Sequence, residues 1–153
     1  MNTRSLIITT FALLAVVMTL GSAPRLAVAH GNVTPQPVDV AGLPTLQAGV
    51  WLTENPYSKL DDASKQKAIE IGSSAYNQNC ARCHGLDVIS GGIAPDLRYL
   101  EIGKTGDEWF INRIRVGKKN ADGATIMPAF EEYFSQEAMW AIRTFLESKH
   151  TDN

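Results

Sequence analysis

The chain has 153 residues, a formal net charge of −2 and two cysteines. This length suits one small domain rather than several. The slightly acidic balance argues against a nucleic-acid partner, because such a partner requires a basic face on the protein.

The first 29 residues have the features of a secretory signal peptide. Arg4 supplies the positive start, residues 6–20 form an uncharged apolar run, and residues 27–29 (Ala-Val-Ala) offer small side chains at a cleavage position. We therefore predict cleavage before His30 and a periplasmic protein, rather than an uncleaved anchor, since a membrane span requires about 20 apolar residues. Cleavage removes two basic residues and no acidic one, which leaves 12 basic and 16 acidic residues and a net charge of −4. We interpret His30 as a consequence of cleavage and not as a copper ligand, because no second well-placed histidine is evident.

The composition of residues 30–60 predicts an extended N-terminal arm that lies on the domain or is partly free. Glycines and prolines interrupt this segment and prevent a long helix or a central strand; the prolines are Pro35, Pro37, Pro44 and Pro56. Val50, Trp51 and Leu52 are the expected points of attachment. We assign residues 61–150 to the domain itself and residues 151–153 to a tail.

Helical periodicity predicts a helix over residues 62–79, with Asp61 or Asp62 as its N-cap. The side chains expected on its inner face are Ala68, Gly72, Ala75, Tyr76 and Asn79. Because Gly72 and Ala75 are small, a second helix can approach this face closely.

Two further helices are predicted downstream. One starts near Asp107 and buries an apolar side made of Phe110, Ile111 and Ile114. The other runs from about Ser135, its N-cap, to Ser148, and its apolar stripe is Ala138, Met139, Ile142, Phe145 and Leu146. No alternating run of β-branched residues is present, so the predicted fold class is all-α with long loops. Such loops are unusual unless something fills the middle of the domain, and a large covalent apolar cofactor would do so.

Both cysteines lie in the motif Cys80-x-x-Cys83-His84, for which we consider four explanations. A zinc site needs four ligands, and there is no second cysteine pair. A redox dithiol opens a helix after a strand, whereas this motif closes a helix. A disulfide between such close residues would constrain almost nothing. Covalent haem c explains the motif best, because two thiols at this spacing reach the two vinyl groups of one porphyrin edge and His84 reaches the iron from the proximal side.

The second axial face of the iron requires a distal ligand, and the candidates are Met127, Met139, His150 and His30. Met139 lies on an apolar helix stripe and is expected to fill the core. His150 lies in a polar segment and is expected to be solvated. Met127 lies in a loop directly before Pro128, which stiffens the backbone. We therefore predict Met127 as the distal ligand.

With these residues in place, residues 62–149 resemble the class I c-type cytochromes. The parts that carry the resemblance are Gly72-x-x-x-Tyr76-x-x-x-Cys80-x-x-Cys83-His84, Ala94-Pro95-Asp96-Leu97, Ile126-Met127-Pro128 and residues 139–146. The resemblance implies the class I cytochrome c fold, in which the N- and C-terminal helices cross and long loops surround one covalent haem c. It also implies that the carbonyl of Pro95 accepts the imidazole N–H of His84 and orients that ring.

Nearly the whole mature chain is similar to the PedF-type soluble cytochromes c (cytochrome c-550). The similarity includes HGNVTPQPVD, NPYSKLDDASKQKAIEIG, the motif region, GDEWF and MPAF. It implies an electron carrier, not an enzyme, that accepts electrons from a periplasmic quinoprotein ethanol dehydrogenase and passes them to a terminal oxidase or another cytochrome. We expect a monomer that is not inserted in the membrane after cleavage. The alternatives are a haem subunit of another periplasmic dehydrogenase, methanol- or sulfur-oxidising, and an open-iron haem enzyme or sensor.

An iron ligated by His84 and Met127 has both axial positions filled, so it can carry electrons but offers no substrate site. Methionine ligation and apolar packing both raise the reduction potential, and the side chains expected to pack there are Ile93, Leu97, Ile126 and Phe130. The expected haem environment also includes Pro95, Arg98 and Tyr99. Arg98 and Tyr99 are either propionate partners or, for Arg98, a solvated loop residue; Trp109 is either a propionate partner or a core residue.

Overall fold

The computed structural model describes residues 34–152. Its α-helices, numbered in chain order, are α1 (Asp62–Asn79), α2 (Ala81–His84), α3 (Lys104–Val116) and α4 (Gln136–Ser148). Short 3₁₀ turns lie between α2 and α3, at Leu86–Val88 and Leu97–Tyr99, and two antiparallel strands follow α3, β1 (Lys118–Lys119) and β2 (Thr125–Met127). Within the described range, no helix is long and apolar enough to cross a membrane. The predicted signal peptide, its cleavage site and His30 lie outside the described residues.

Helix α1 has the predicted bounds and the predicted buried face. Its N-cap is Asp61, whose carboxylate accepts hydrogen bonds from the backbone N–H and the hydroxyl of Ser64, at 3.1 and 2.8 Å. The first turn therefore satisfies an amide that would otherwise lack a partner.

Helices α1 and α4 cross where α1 carries Gly72, as predicted. A Cβ atom built on Gly72 would lie 1.9 Å from the carbonyl oxygen of Ala141 on α4. Only a residue without a side chain permits this approach. Nearby, the rings of Tyr76 and Phe145 pack at 5.4 Å between centroids and an interplanar angle of 51°. The two ends of the domain thus meet in one core.

Two predictions about the middle of the chain need correction. Helix α3 begins at Lys104, not near Asp107, and Asp107 is buried within its first turns at 3% exposure. In addition, a short antiparallel pair joins Lys118 to Met127 and Lys119 to Thr125. Strands of two and three residues leave no alternating pattern in a sequence, and the fold class remains all-α.

Residues 34–60 lie against the helices. The ring of Trp51 lies beneath the guanidinium of Arg115, 4.0 Å away, and the backbone N–H of Leu46 donates to the Glu137 carboxylate at 2.8 Å. Gln136 accepts from the N–H of Leu52 at 2.7 Å and donates to the carbonyl of Val50 at 2.8 Å. The side chains of α4 therefore bind the backbone of this segment, which has no regular structure of its own.

Contacts with α3 as well as with residues 34–60 bury α4 on more faces than its apolar stripe predicts. Besides the five predicted residues, α4 buries Trp140, Ala141, Arg143 and Thr144. Arg143 donates to the carboxylate of Asp107 at 2.7 Å and to the carbonyl of Glu101 at 2.6 Å. Asn55 donates to Thr144 at 3.0 Å and, through its backbone N–H, to Asp107 at 2.9 Å. A buried ionic network therefore joins residues 34–60 to α3 and α4.

Candidate functional site

The two cysteines lie on consecutive turns at the end of α1. The N–H of Cys80 still donates to the carbonyl of Tyr76 at 2.8 Å, and the N–H groups of Cys83 and His84 donate to the carbonyl of Cys80 at 3.1 and 3.0 Å. Residues three and four positions apart on a helical turn share a face. The backbone therefore presents both sulfurs and the imidazole to the same side.

The Cys80 sulfur does not have the property expected of the nucleophile of a redox dithiol. Cys80 and Cys83 are both free, and Cys80 is half-buried while Cys83 is exposed. Burial, followed by the neighbouring Cys83, raises the pKa of the Cys80 thiol to about 12. A reactive dithiol requires the opposite shift, because the thiolate is the nucleophile. Within residues 34–152, no group of three or more His, Cys, Asp or Glu side chains could hold a metal ion, so the zinc explanation has no ligand set.

The His84 ring is held by the Pro95 carbonyl, whose oxygen lies 2.9 Å from Nδ1. A carbonyl can only accept, so this contact places the proton on Nδ1 and leaves the lone pair on Nε2. At the next residue, the Tyr76 hydroxyl donates to the carbonyl of Gly85 at 2.8 Å. Burial raises the pKa of Tyr76 above its usual value, so the hydroxyl keeps its proton. The Pro95 contact orients the imidazole, whose free nitrogen can ligate iron, and the Tyr76 bond holds the backbone directly after it.

Gly85 permits the sharp exit of the chain from the motif. Its φ is +86°, and a Cβ atom built there would lie 1.8 Å from the carbonyl oxygen of Ile89. Both the conformation and the contact require glycine. The chain can therefore turn directly from His84 into the loop that carries Pro95.

The loop after Pro95 places Leu97 against the hydrophobic core, half-buried. The Arg98 side chain is partly exposed, at 27%, and pairs with Asp96 at 2.8 Å. The same guanidinium lies 5.6 Å from the ring centroid of Tyr99. A propionate role for Arg98 and Tyr99 stays a prediction, and Arg98 has already committed Nε and Nη2 to Asp96.

Met127 lies at the end of β2 and is half-buried against the hydrophobic core. On one side its strand pairs with Lys118, and a Cβ atom on Gly117 would lie 2.4 Å from the carbonyl oxygen of Met127. On the other side the N–H of Phe130 donates to the carbonyl of Ile114 at 3.0 Å. Met127 is therefore held on a short anchored strand and not on a free loop. Cys80, Leu97 and Met127 all border the same core cluster.

The other distal candidates occupy different environments. Met139 is fully buried on α4, as expected of a core residue. His150 is not simply solvated: its Nδ1 is buried without a hydrogen-bond partner among the described residues, and its Nε2 lies 3.3 Å from Asp152. Trp109 is not a core residue, because it is 46% exposed and Arg113 lies over its ring at 5.4 Å.

The donor set fits a covalent haem, since it combines two sulfurs, an imidazole with a free Nε2 and a thioether. The apolar surface fits as well. Large apolar side chains in the segments that follow the motif are exposed, and an apolar cofactor would cover residues of this kind: Leu86, Ile89, Ile93, Tyr99, Ile102, Trp109, Val116 and Ile126. Of the expected packing residues, Phe130 differs, because it is 4% exposed and stacks on Phe134 at 4.9 Å.

Sequence reasoning missed the residues that support these groups. No role was assigned to Asp96, which holds Arg98 and the loop around Pro95, or to Arg143. Asp107 was predicted only to lie near the start of a helix. One signal was available for each. Aspartate two residues before arginine is typical of a capped turn. Arg143 directly follows the apolar residues 138–142 and has Glu147 four residues later.

Comparisons with known proteins are consistent with this geometry. A family model described as "Cytochrome C oxidase, cbb3-type, subunit III" matches residues 67–146. Cytochrome c550 of Pseudomonas aeruginosa is 56% identical over 131 residues, which are 86% of this chain and 88% of that protein.

Two enzymes of Pseudomonas putida match a shorter part of the chain. Quinohemoprotein alcohol dehydrogenase ADH-IIG is 35% identical over 85 residues, which are 56% of this chain and 11% of that enzyme. Quinohemoprotein alcohol dehydrogenase ADH IIB is 29% identical over 85 residues, which are 56% of this chain and 12% of that enzyme. No solved structure matches the chain.

Proposed function

Because the chain belongs to the cytochrome c domain family and is an electron-transfer protein, we propose that it is a periplasmic carrier of single electrons with one haem c. Cys80 and Cys83 hold this haem by thioethers, and His84 and Met127 are its axial ligands. The iron of such a haem supplies the change between Fe(II) and Fe(III), one electron at a time.

The observation that carries this proposal is the contact of His84 with Pro95 directly after the cysteine pair. The 2.9 Å distance between Nδ1 and the Pro95 carbonyl commits that nitrogen, which supports Nε2 as the atom that would bind the iron. The hydrogen bond also increases the electron donation of the imidazole. Haem attachment explains why two thiols lie on the turn before this histidine, whereas a histidine that only fills the core leaves the thiols unexplained.

The support for Met127 comes from its attachment. Pairing with Lys118 and the close contact with Gly117 fix the backbone on one side, and the bond from Phe130 to Ile114 fixes it on the other. A thioether on such a support would stay in place as a ligand of the iron. A carrier requires that oxygen and substrate be kept from the iron, whereas an open-iron enzyme or sensor must admit them.

The proposed electron donor is a quinoprotein alcohol dehydrogenase, with ethanol as the expected substrate of that enzyme. Two relatives are named quinohemoprotein alcohol dehydrogenases, and the part of each that resembles this chain is only 11% or 12% of the enzyme. A domain of this kind therefore occurs within alcohol dehydrogenases, and a separate copy can serve such an enzyme by transient contact. The proposed acceptor is a terminal oxidase or another cytochrome.

Stopped-flow mixing tests the partner. The oxidised holoprotein is mixed with a quinoprotein ethanol dehydrogenase that ethanol has reduced, and haem reduction is followed at the α band. We expect rapid second-order reduction whose rate falls with ionic strength if charged rims meet. A control with the dehydrogenase but no ethanol should leave the haem oxidised. Negligible reduction would remove the proposed donor, and a stable complex on co-purification would indicate a permanent haem subunit instead of a carrier.

A further inference from the structure

The carbonyl of Pro95 is held in place by a set of hydrogen bonds that spans the residues on both sides of it. The Asp96 carboxylate accepts from Ser90 upstream and from Arg98 downstream, at 3.3 Å for the N–H of Ser90 and 3.0 Å for the N–H of Arg98. Arg98 adds two side-chain bonds, 3.0 Å from Nε and 2.8 Å from Nη2. One carboxylate therefore closes the loop around the residue that contacts His84.

Ser90 closes the same loop a second time. Its hydroxyl donates to the carbonyl of Ala94 at 2.5 Å and accepts from the N–H of Gly92 at 3.0 Å. The carbonyl of Ala94 and the carboxylate of Asp96 flank Pro95, so Ser90 binds both neighbours of the proline. The proline ring restricts φ at Pro95, and the bonds to its two neighbours restrict the orientation of its carbonyl further.

We propose that Ser90 and Asp96 are positioning residues that fix the Pro95 carbonyl against Nδ1 of His84 and thereby set the reduction potential of the haem iron. This inference rests on the proposed function, in which Nε2 of His84 is a ligand. A firmly held acceptor strengthens the bond from Nδ1, makes the imidazole a better donor and favours Fe(III). Loosening the acceptor should therefore raise the potential.

The charge of Asp96 and the attachment of the loop both suit this role. Hydrogen bonds from the Arg98 side chain, with smaller contributions from the backbone N–H groups of Arg98 and Ser90, hold the pKa of Asp96 well below its usual range. The carboxylate is therefore ionised at neutral pH and can accept all of its bonds. The loop is also tied to the C-terminal end of the chain, where the N–H of Thr151 donates to the carbonyl of Arg98 at 3.2 Å.

The test compares two variants of the holoprotein. Ser90→Ala removes two loop bonds without changing charge. Asp96→Asn places an amide donor or a weaker acceptor where the N–H of Ser90 and Nη2 of Arg98 require an acceptor. We expect each variant to exchange the His84 Nδ1 proton about tenfold faster by NMR, the factor that corresponds to the loss of one hydrogen bond, and to have a higher potential by redox titration.

Asp87→Asn is the matched control for the charge lost in Asp96→Asn. Asp87 follows His84 by three residues, its side chain is 79% exposed, and Lys149 lies 3.8 Å from its carboxylate. Its φ of 52° is one that asparagine adopts readily. We expect this control to retain the wild-type exchange rate of the Nδ1 proton.

The inference is overturned if Ser90→Ala keeps the wild-type exchange rate of the Nδ1 proton or shows an unchanged or lower potential. It is also overturned if the Nδ1 proton of Asp96→Asn exchanges no faster than that of Asp87→Asn. The wild-type protein separates this result from the proposed function. If the wild type has no His-ligated low-spin haem spectrum, both proposals fall. If it has that spectrum and the variants keep the wild-type exchange rate of the Nδ1 proton and the wild-type potential, only this inference falls.

Discussion

Arg143→Met should destabilise the protein strongly, because it removes the cation of a buried ion pair. The Arg143 side chain is 1% exposed and that of Asp107 is 5% exposed, with 2.7 Å between Nε and the carboxylate. Arg143 also donates to the Glu101 carbonyl at 2.6 Å. Methionine matches the aliphatic part of the side chain but satisfies neither acceptor.

The expected magnitude follows from what remains buried. Asp107 would keep one strong bond, from the N–H of Asn55 at 2.9 Å, and lose its counter-ion. Removing one member of a buried pair typically costs about 3–5 kcal/mol. For a domain of this size that loss corresponds to a decrease in Tm of about 10–20 °C. Because Asn55 belongs to the segment before α1, we expect that segment to detach first.

Far-UV circular dichroism during thermal and urea unfolding measures the change in stability, and the variant and wild type are both used as holoproteins. Lys104→Met is the matched control: it also removes a cation that pairs with an acid of α3, but Lys104 and Glu108 lie 3.9 Å apart with side chains 64% and 45% exposed. Exposed pairs contribute at most about 1 kcal/mol. If Arg143→Met loses no more stability than Lys104→Met, the buried network does not stabilise the fold and the reasoning is wrong.

Three further predictions concern the site, the helix crossing and pH. Met127→Ala should keep its haem attached but lose the near-infrared band of the oxidised protein, show a lower potential and bind carbon monoxide when reduced; wild-type behaviour would show that Met127 is not a ligand. Gly72→Ala should lose about 2–3 kcal/mol of unfolding free energy, since its Cβ would lie 1.9 Å from a carbonyl oxygen. Gly91→Ala, which meets nothing within 4 Å, should change little, and equal losses in the two variants would refute the steric argument. Burial raises the pKa of Glu147, opposed by the hydrogen bond from Asn55 and the charge of Arg143. Because the folded pKa is raised, the stabilising contribution of this group is present below its unfolded pKa and is lost as the pH rises through the folded pKa. The stability of Glu147→Gln relative to wild type, measured by urea unfolding, should therefore increase from pH 4 to pH 7. A decrease over this range would contradict the sign of the shift.

Local patterns predicted the helices well. The bounds of α1, its cap at Asp61 and its buried face follow from helical periodicity and capping chemistry, which involve only neighbours along the chain. The same is true of Ser135, whose hydroxyl accepts from the N–H of Ala138 at 3.2 Å. The start of α3 was missed by three residues because Lys104 begins the helix without a side-chain cap from Gly103.

The motif residues were also readable from the chain, because Cys80, Cys83 and His84 lie within two helical turns and their chemistry depends on their spacing. The carbonyl of Pro95 entered through family resemblance, and the structure adds its 2.9 Å contact with His84. The support for that carbonyl was not readable, since Ser90 is polar and ordinary in a loop until its partners are known.

The sequence by itself therefore determined the all-α class, the position of the cysteine pair and the glycine face on which two helices cross. Only the tertiary structure decided which polar residues are buried. A charge such as Arg143 is expected on the surface of a helix, but here Asp107 of α3 and the carbonyl of Glu101 meet its side chain. Asp107 is expected at a helix start, but here it is buried against Arg143. The physical reason is that a buried charge needs a partner, and Arg143 and Asp107 are 36 residues apart. Hydrogen-bond complementarity at that separation leaves no periodic pattern in one sequence.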